Sequence, residues 1–104
     1  MTEDGQEQLR QLRAKAHVLH PIVTVGRQGL SQRLLDELDR ALNDHELIKI
    51  KLAISDRITR NRVIQELCQR SGASLVQHIG RVATLLRPSP KANPKKSNLQ
   101  RRLD

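Results

Sequence analysis

The residues best placed by type and spacing to do chemistry are a glycine turn and a set of cations. Gly26-Arg27-Gln28-Gly29 is a G-x-x-G turn. It follows Ile22-Val23-Thr24-Val25, whose β-branched side chains favour an extended strand. It precedes Ser31, a good helix N-cap, after which an amphipathic run begins. Strand, glycine turn and helix in that order leave the orphan N–H groups of the helix facing whatever lies over the turn. One glycine can supply a positive φ, and both remove a side chain that would keep a ligand backbone at a distance. With Arg27 at its tip, the turn is a candidate phosphate cradle. The alternative is a tight βα connection that binds nothing.

The other candidates are cationic. Lys49 and Lys51 alternate with Ile48, Ile50 and Leu52, so both leave one face of a strand, either toward an anionic partner or simply into solvent. Arg57, Arg60 and Arg62 crowd the start of a helix. Positive charge there opposes the helix dipole, at a cost of a few tenths up to about 1 kcal/mol each. Such a cluster suggests a partner, unless Asp56 or Glu66 pairs with it. Arg81 sits in a predicted hairpin turn, exposed, where it would touch phosphate or nothing.

Other chemistries find no support. His17, His20, His45 and His78 have no metal-ligand spacing with the lone Cys68, which reads as a core filler, so no metal or cofactor is expected. There is no nucleophile–base pair, Walker motif or carboxylate dyad, and the chain is not expected to be an enzyme. One cysteine excludes an intramolecular disulfide and suits a reducing cytosol. No run approaches a membrane span, and the acidic, polar N-terminus does not resemble a signal peptide.

Charge and composition narrow the partner. The 104 residues carry 19 Lys+Arg against 11 Asp+Glu, a formal net charge of +8, and the pI is about 10.8. Residues 1–87 hold 14 cations and 10 anions, whereas 88–104 hold 5 and 1, so half the net charge lies in a short C-terminal segment. The expected partner is a polyanion. The chain has no Phe, Tyr or Trp. Base-stacking platforms of the RRM, OB-fold or cold-shock kind depend on aromatics. A nucleic acid would therefore be held through backbone contacts, Lys/Arg and hydrogen bonds, over an aliphatic core.

Seven elements must position these groups. Leu9, Leu12, Ala16 and Leu19, spaced 3, 4 and 3 apart, predict a first helix from about Glu7 to Leu19, with residues 1–6 frayed and Pro21 releasing the chain into the first strand. Leu34, Leu35, Leu38, Ala41 and Leu42 make a second helical stripe, with Asn43-Asp44-His45 as its exit turn. A half-buried strand over 47–52 follows. Ser55-Asp56 caps a third helix with Val63, Ile64, Leu67 and Cys68 on its buried side, and Gly72 stops it. Leu75–Ile79 and Val82–Arg87, separated by Gly80-Arg81, predict a tight hairpin. Residues 89–104, rich in Pro and Lys/Arg, bury too little apolar surface to offset their ordering entropy and read as a disordered basic tail. The order α-β-α-β-α-β-β predicts an α+β, two-layer sandwich with helices on the apolar side of one sheet.

These residues resemble a known family. Leu12-Arg13, Ala16-His17, Leu19, Pro21 and Val25 to Ser31 look like the opening of a CRM domain. So do His45 to Lys51, Gly72-Ala73, Val76-Gln77, Ile79-Gly80 and Leu86-Arg87-Pro88. The likeness covers roughly residues 9–88 without evident gaps and is greatest to the YhbY family, bacterial proteins made of a single CRM domain. It implies a domain over 1–88 with a four-stranded mixed sheet, similar to the C-terminal domain of translation initiation factor three. It also implies RNA binding and association with precursors of the large ribosomal subunit. The family's G-x-x-G loop falls on Gly26, Arg27, Gln28 and Gly29. The expected function is therefore a cytoplasmic, monomeric ribosome-assembly factor. It would grip structured rRNA through that loop with Lys49, Lys51, Arg57, Arg60 and Arg81 around it. A protein-interaction adaptor on ribosomal particles and a nonspecific polyanion binder are the competing readings.

Overall fold

The computed structural model describes residues 3–102, and the side chains of 5–102. In chain order it contains α1 (Glu3–Ala16), β1 (Pro21–Val25), α2 (Gln32–His45), β2 (Leu47–Leu52), α3 (Arg57–Ser71), β3 (Ser74–Ile79) and β4 (Val82–Leu86). The strands form one mixed sheet in the order β1-β2-β4-β3. β1 runs parallel to β2, while β4 is antiparallel to both β2 and β3. The crossover through α3 therefore lands β3 one strand away from β2, and the returning β4 fills the gap between them.

The main core lies between the sheet and the pair α2 and α3. Leu34, Leu38 and Leu42 recur every four residues along α2 and are all buried. They meet Val23 and Val25 of β1, Ile48, Ile50 and Leu52 of β2, Ile64 and Leu67 of α3, and Ala83 and Leu85 of β4. Burying each such leucine or isoleucine contributes about 1.5–3 kcal/mol, so aliphatic residues alone build this layer. Both caps follow the expected chemistry. Ser31 Oγ accepts the Leu34 N–H at 3.1 Å, and Asp56 accepts the Thr59 N–H at 3.0 Å. Gly72 ends α3 in the left-handed conformation, φ 77°, its N–H donating to Cys68 O. In the hairpin, Gly80 alone takes positive φ, leading the turn as type II′ geometry requires.

The two-layer arrangement holds for the sheet with α2 and α3, and α1 adds a partial third layer. Leu47 is fully buried but points opposite to Ile48, and it packs with Ala16, Val76 and, less deeply, Leu9, Leu12, Leu19 and Leu86. α1 thus covers one end of the other sheet face and leaves the rest of that face open. The helix begins at Glu3, earlier than the predicted Glu7, and ends at Ala16; Leu19 reaches the same cluster from the turn beyond it. α2 continues through His45, so the predicted exit turn Asn43-Asp44-His45 is helical instead. No helix among the described residues is long and apolar enough to cross a membrane.

The segment read as a disordered tail is instead folded back on the domain as far as it is described, to residue 102. Its hub is Glu46, which caps α2 with φ 61° and ψ −46°, an unusual backbone for a residue with a side chain. The Glu46 carboxylate is buried and accepts three hydrogen bonds: from the Ser89 N–H at 2.5 Å, Ser97 Oγ at 2.6 Å and Gln100 Nε2 at 3.1 Å. Asn98, also buried, donates its side-chain amide to Leu47 O at 2.6 Å and its N–H to His45 O at 2.9 Å. His45 Nδ1 donates to Lys96 O, and Lys15 Nζ donates to Leu99 O. Apolar burial alone predicted disorder, but polar groups satisfying a buried carboxylate and open backbone carbonyls hold this segment, and Leu99 adds an apolar contact to the Ala16, Leu47 and Val76 cluster.

Candidate functional site

Most of the predicted site residues gather at one end of the molecule, for a topological reason. β1 and β2 are parallel, so both deliver their C-terminal ends to the same side. β4 runs antiparallel to β2 and starts at that end, so the β3–β4 turn lies there too. Two backbone hydrogen bonds fix the junction: Ala53 N–H to Val25 O at 2.8 Å and Leu52 N–H to Arg81 O at 2.7 Å. The glycine turn, the β2–α3 loop, the hairpin turn and the N-termini of α2 and α3 therefore share one edge. Arg27, Lys51, Arg57 and Arg81 are exposed there, and none of them forms an ion pair with another described residue.

The two glycines of the turn differ. Gly29 has φ +76° and needs glycine for its backbone, whereas Gly26 takes no positive φ. A Cβ at either position would meet nothing within 4 Å. Gly26 is therefore required neither by backbone conformation nor by packing, and its lack of a side chain leaves room on the outer surface. Below the turn, Thr24, Gln28, Ser31, Arg33 and Glu37 line a depression of ≈ 180 Å³ that leads to the start of α2.

The arginines of α3 divide. Arg57 is exposed, but Arg60 Nη1 donates to Ile54 O at 2.8 Å and Ser55 O at 2.7 Å. Arg60 thus tethers the β2–α3 loop instead of projecting freely, and neither Asp56 nor Glu66 forms an ion pair with it. Asp56 is occupied as the cap. Its carboxyl is held below the usual range, chiefly by the Thr59 hydroxyl and N–H, with a smaller contribution from the Arg60 charge. Arg57, Arg60 and Asn61 nonetheless face His78 and Gly80 of the hairpin across one shallow cleft. His78 Nε2 donates to Gly80 O and stiffens that turn.

Lys49 and Lys51 both lie on the sheet face away from α2 and α3, as the alternation predicted. Lys51 pairs across with Val82 at the glycine-turn end; Lys49 pairs with Thr84 two residues further in and is half-buried. Lys49 therefore stands inward of the cationic edge. Cys68 is half-buried, and burial pushes its thiol upward, which disfavours the thiolate. Sequence reading missed Glu46, Ser97 and Asn98. Their only early signal is a run of amide and hydroxyl residues, Ser97-Asn98 and Gln100, inside an otherwise basic segment.

Comparison with known proteins agrees with this architecture. The family model for the CRS1/YhbY (CRM) domain matches residues 5–87. A Pseudomonas aeruginosa protein named as a probable RNA-binding protein is 47% identical over 96 residues, 92% of each chain. A Haemophilus influenzae protein named as an RNA-binding protein is 41% identical over 92 residues, 88% of this chain and 93% of that one. The solution structure of a hypothetical protein from Staphylococcus aureus superimposes with a TM-score of 0.72 at 28% identity, covering 82% of this chain and 88% of the other. The family model stops at residue 87, so most of the segment that clasps Glu46 lies outside it.

Proposed function

The chain belongs to the CRS1/YhbY (CRM) domain family, and on that premise we propose that it binds RNA through the glycine-turn end of its sheet. The observation that carries this reading is the convergence at one edge of Gly26 to Gly29, Lys51, Arg57 and Arg81 with two helix N-termini. Exposed cations without carboxylate partners and helix ends of positive potential suit phosphate. A turn with open space over both glycines lets a phosphate backbone come close. Arg60 holds the loop under Arg57 and adds its charge from behind, and Lys49 extends the basic surface onto the open sheet face. The names carried by the relatives support RNA as the polyanion.

The finer role follows the resemblance. The protein acts in the cytoplasm as a monomer, associates with precursors of the large ribosomal subunit and steadies a local rRNA fold without covalent chemistry. The test is the double substitution Arg27→Asp with Gln28→Asp. Both side chains are exposed, so circular dichroism should be unchanged while RNA affinity falls. In gradients of cell extract, wild-type protein should travel with large-subunit precursors and the double variant should remain at the top. Wild-type affinity in the folded variant would return the turn to a purely structural role. Equal binding and equal salt slopes on RNA and duplex DNA would favour a generic polyanion binder.

A further inference from the structure

The open sheet face carries a groove bounded at both ends by β-bulges, between Pro21 and Val23 in β1 and between Leu75 and Gln77 in β3. Pro21 pairs with Lys49, Lys49 with Thr84 and Thr84 with Gln77, so these four residues form one row across all four strands. The next row toward the glycine turn includes Val82 and Ile79, which pair with each other. Together these six residues line a groove of ≈ 270 Å³. At about 4.8 Å between strands the row is roughly 14 Å long, and the rows lie roughly 7 Å apart.

The lining is half apolar and half hydrogen-bonding, and it contains no carboxylate. Ile79 is 67% exposed, an unusual position for isoleucine on a strand. Lys49 lies on the floor, half-buried and without an ion-pair partner among the described residues. An ammonium group so placed is better satisfied by an anion than by a neutral or cationic ligand. At its other flank Lys49 shares a second depression with Arg101, which the folded-back C-terminal segment delivers there and Asn98 Oδ1 holds at 2.9 Å. Lys51 flanks it on the side of the glycine turn.

We infer that this groove holds an unstacked base of single-stranded RNA, seated against Pro21, Val82 and Ile79, with Lys49 on the adjoining phosphate and the Gln77 amide on the base edge. The inference rests on the RNA-binding reading and adds to it a base subsite in a chain without aromatic residues. A groove one base wide and only a few ångströms from a phosphate-binding ammonium excludes a duplex, whose bases are stacked and paired. The Gln77 amide offers both donor and acceptor, so it contacts any base edge and prefers some.

The experiment measures binding of three probes by fluorescence anisotropy: a short unstructured RNA, the same backbone with abasic positions, and an RNA duplex of equal length. Wild-type protein should bind the base-bearing strand about 5–10-fold more tightly than the abasic strand, in line with one hydrogen bond plus modest apolar burial. Duplex should bind no better than the abasic strand. Gln77→Ala and Ile79→Ser should each pull the base-to-abasic ratio toward one while leaving the salt slope unchanged. Both positions are at least partly exposed, so both variants are expected to fold. Lys51→Ala is the converse control: its slope should drop by about 0.7 with the ratio preserved. If wild-type protein binds base-bearing and abasic strands equally, or prefers duplex, the subsite is refuted and RNA binding as such stands. If it binds none of the three, the subsite is refuted, and the RNA reading then stands or falls on binding to a folded rRNA fragment measured in the same assay.

Discussion

The clasp of the C-terminal segment on Glu46 is open to a direct test by Glu46→Gln. The substitution preserves size but leaves one acceptor oxygen where there were two. The carboxylate now accepts from Ser89, Ser97 and Gln100. The glutamine can satisfy at most one side of that arrangement, and its NH2 group faces a donor on the other. Hydrogen bonds to a charged acceptor are worth roughly 1.5–3 kcal/mol each, so a net loss of about 2–3 kcal/mol is expected. The core should hardly notice, because a released segment regains about 1–2 kcal/mol of backbone entropy per residue. The readout is therefore local opening. Trypsin cleavage after Lys96 requires access to the bond leading into Ser97, which is fully buried. When opening is fast relative to cleavage, the rate tracks the open population, and 2–3 kcal/mol corresponds to roughly 30- to 150-fold faster cutting. An unchanged rate would show that these hydrogen bonds do not hold the segment.

The same group gives the clasp a pH dependence of known sign. Burial alone would raise the Glu46 carboxyl, but the hydrogen bonds from Ser97, Ser89 and Gln100 outweigh it and hold it below its ordinary value. A carboxyl lowered in the folded state contributes stability that is present above its unfolded pKa and is lost as pH falls through the lowered folded one. The amide signals of Ser97 and Asn98 should therefore lose protection in acid, below the ordinary glutamate range, and Glu46→Gln should abolish that pH step.

Two paired substitutions test the rest of the site. Gly26→Ala should leave stability unchanged or raise it by up to about 1 kcal/mol, since the backbone and the space both permit alanine, yet weaken RNA binding. Gly29→Ala, at φ +76°, should cost about 1–2 kcal/mol. Thermal melts with a binding assay separate the two, and full RNA affinity in Gly26→Ala would remove the close-approach argument. Arg57→Ala should lower the salt slope of RNA binding with no change in melting temperature. Arg60→Ala frees the Ile54 and Ser55 carbonyls and should cost about 1–3 kcal/mol; equal melting temperatures for the two would refute the tether.

What the sequence disclosed, and what it hid, divides by the range of the interactions. Ser31, Asp56, Gly72 and Gly80 act within three or four residues of themselves, so caps and turns were legible from local chemistry. Leu34, Leu38 and Leu42, like Ile48, Ile50 and Leu52, announce a buried face by period. Leu47 does not, because a strand's second face shows only when another element covers it, and α1 does so from more than 30 residues away. Arg60 looked like a free cation because nothing in its neighbours marks the Ile54 and Ser55 carbonyls as acceptors; the bend of the β2–α3 loop turns them inward. Glu46 was the hardest case. Its partners lie 43 to 54 positions downstream, and each is a common polar residue. A segment scored by apolar content alone reads as disordered when its attachment is mainly polar, with Leu99 its one leucine packed on the α1 cluster among the described residues.

That attachment also decides how the net charge acts. The C-terminal segment is held through the Glu46 carboxylate, the Lys15 ammonium, neutral side chains and backbone carbonyls, and none of these contacts uses the segment's own lysine ammonium groups, so Lys91, Lys95 and Lys96 remain exposed. They sit toward the Glu46 end of β2, roughly 20 Å from the glycine turn at about 3.3 Å per residue. This exceeds two Debye lengths at physiological salt. The two basic regions therefore do not reinforce each other as one local field. They contribute jointly only to a polyanion long enough to touch both, which means roughly six phosphates at the 3.4 Å spacing of a helical strand and fewer in an extended one. Lys51, Lys49 and Arg101 mark the line between them. A shorter anion gains from one end alone. The placement of charge, beyond its total, thus favours an extended strand lying along the open face over a small phosphate ligand in the glycine turn.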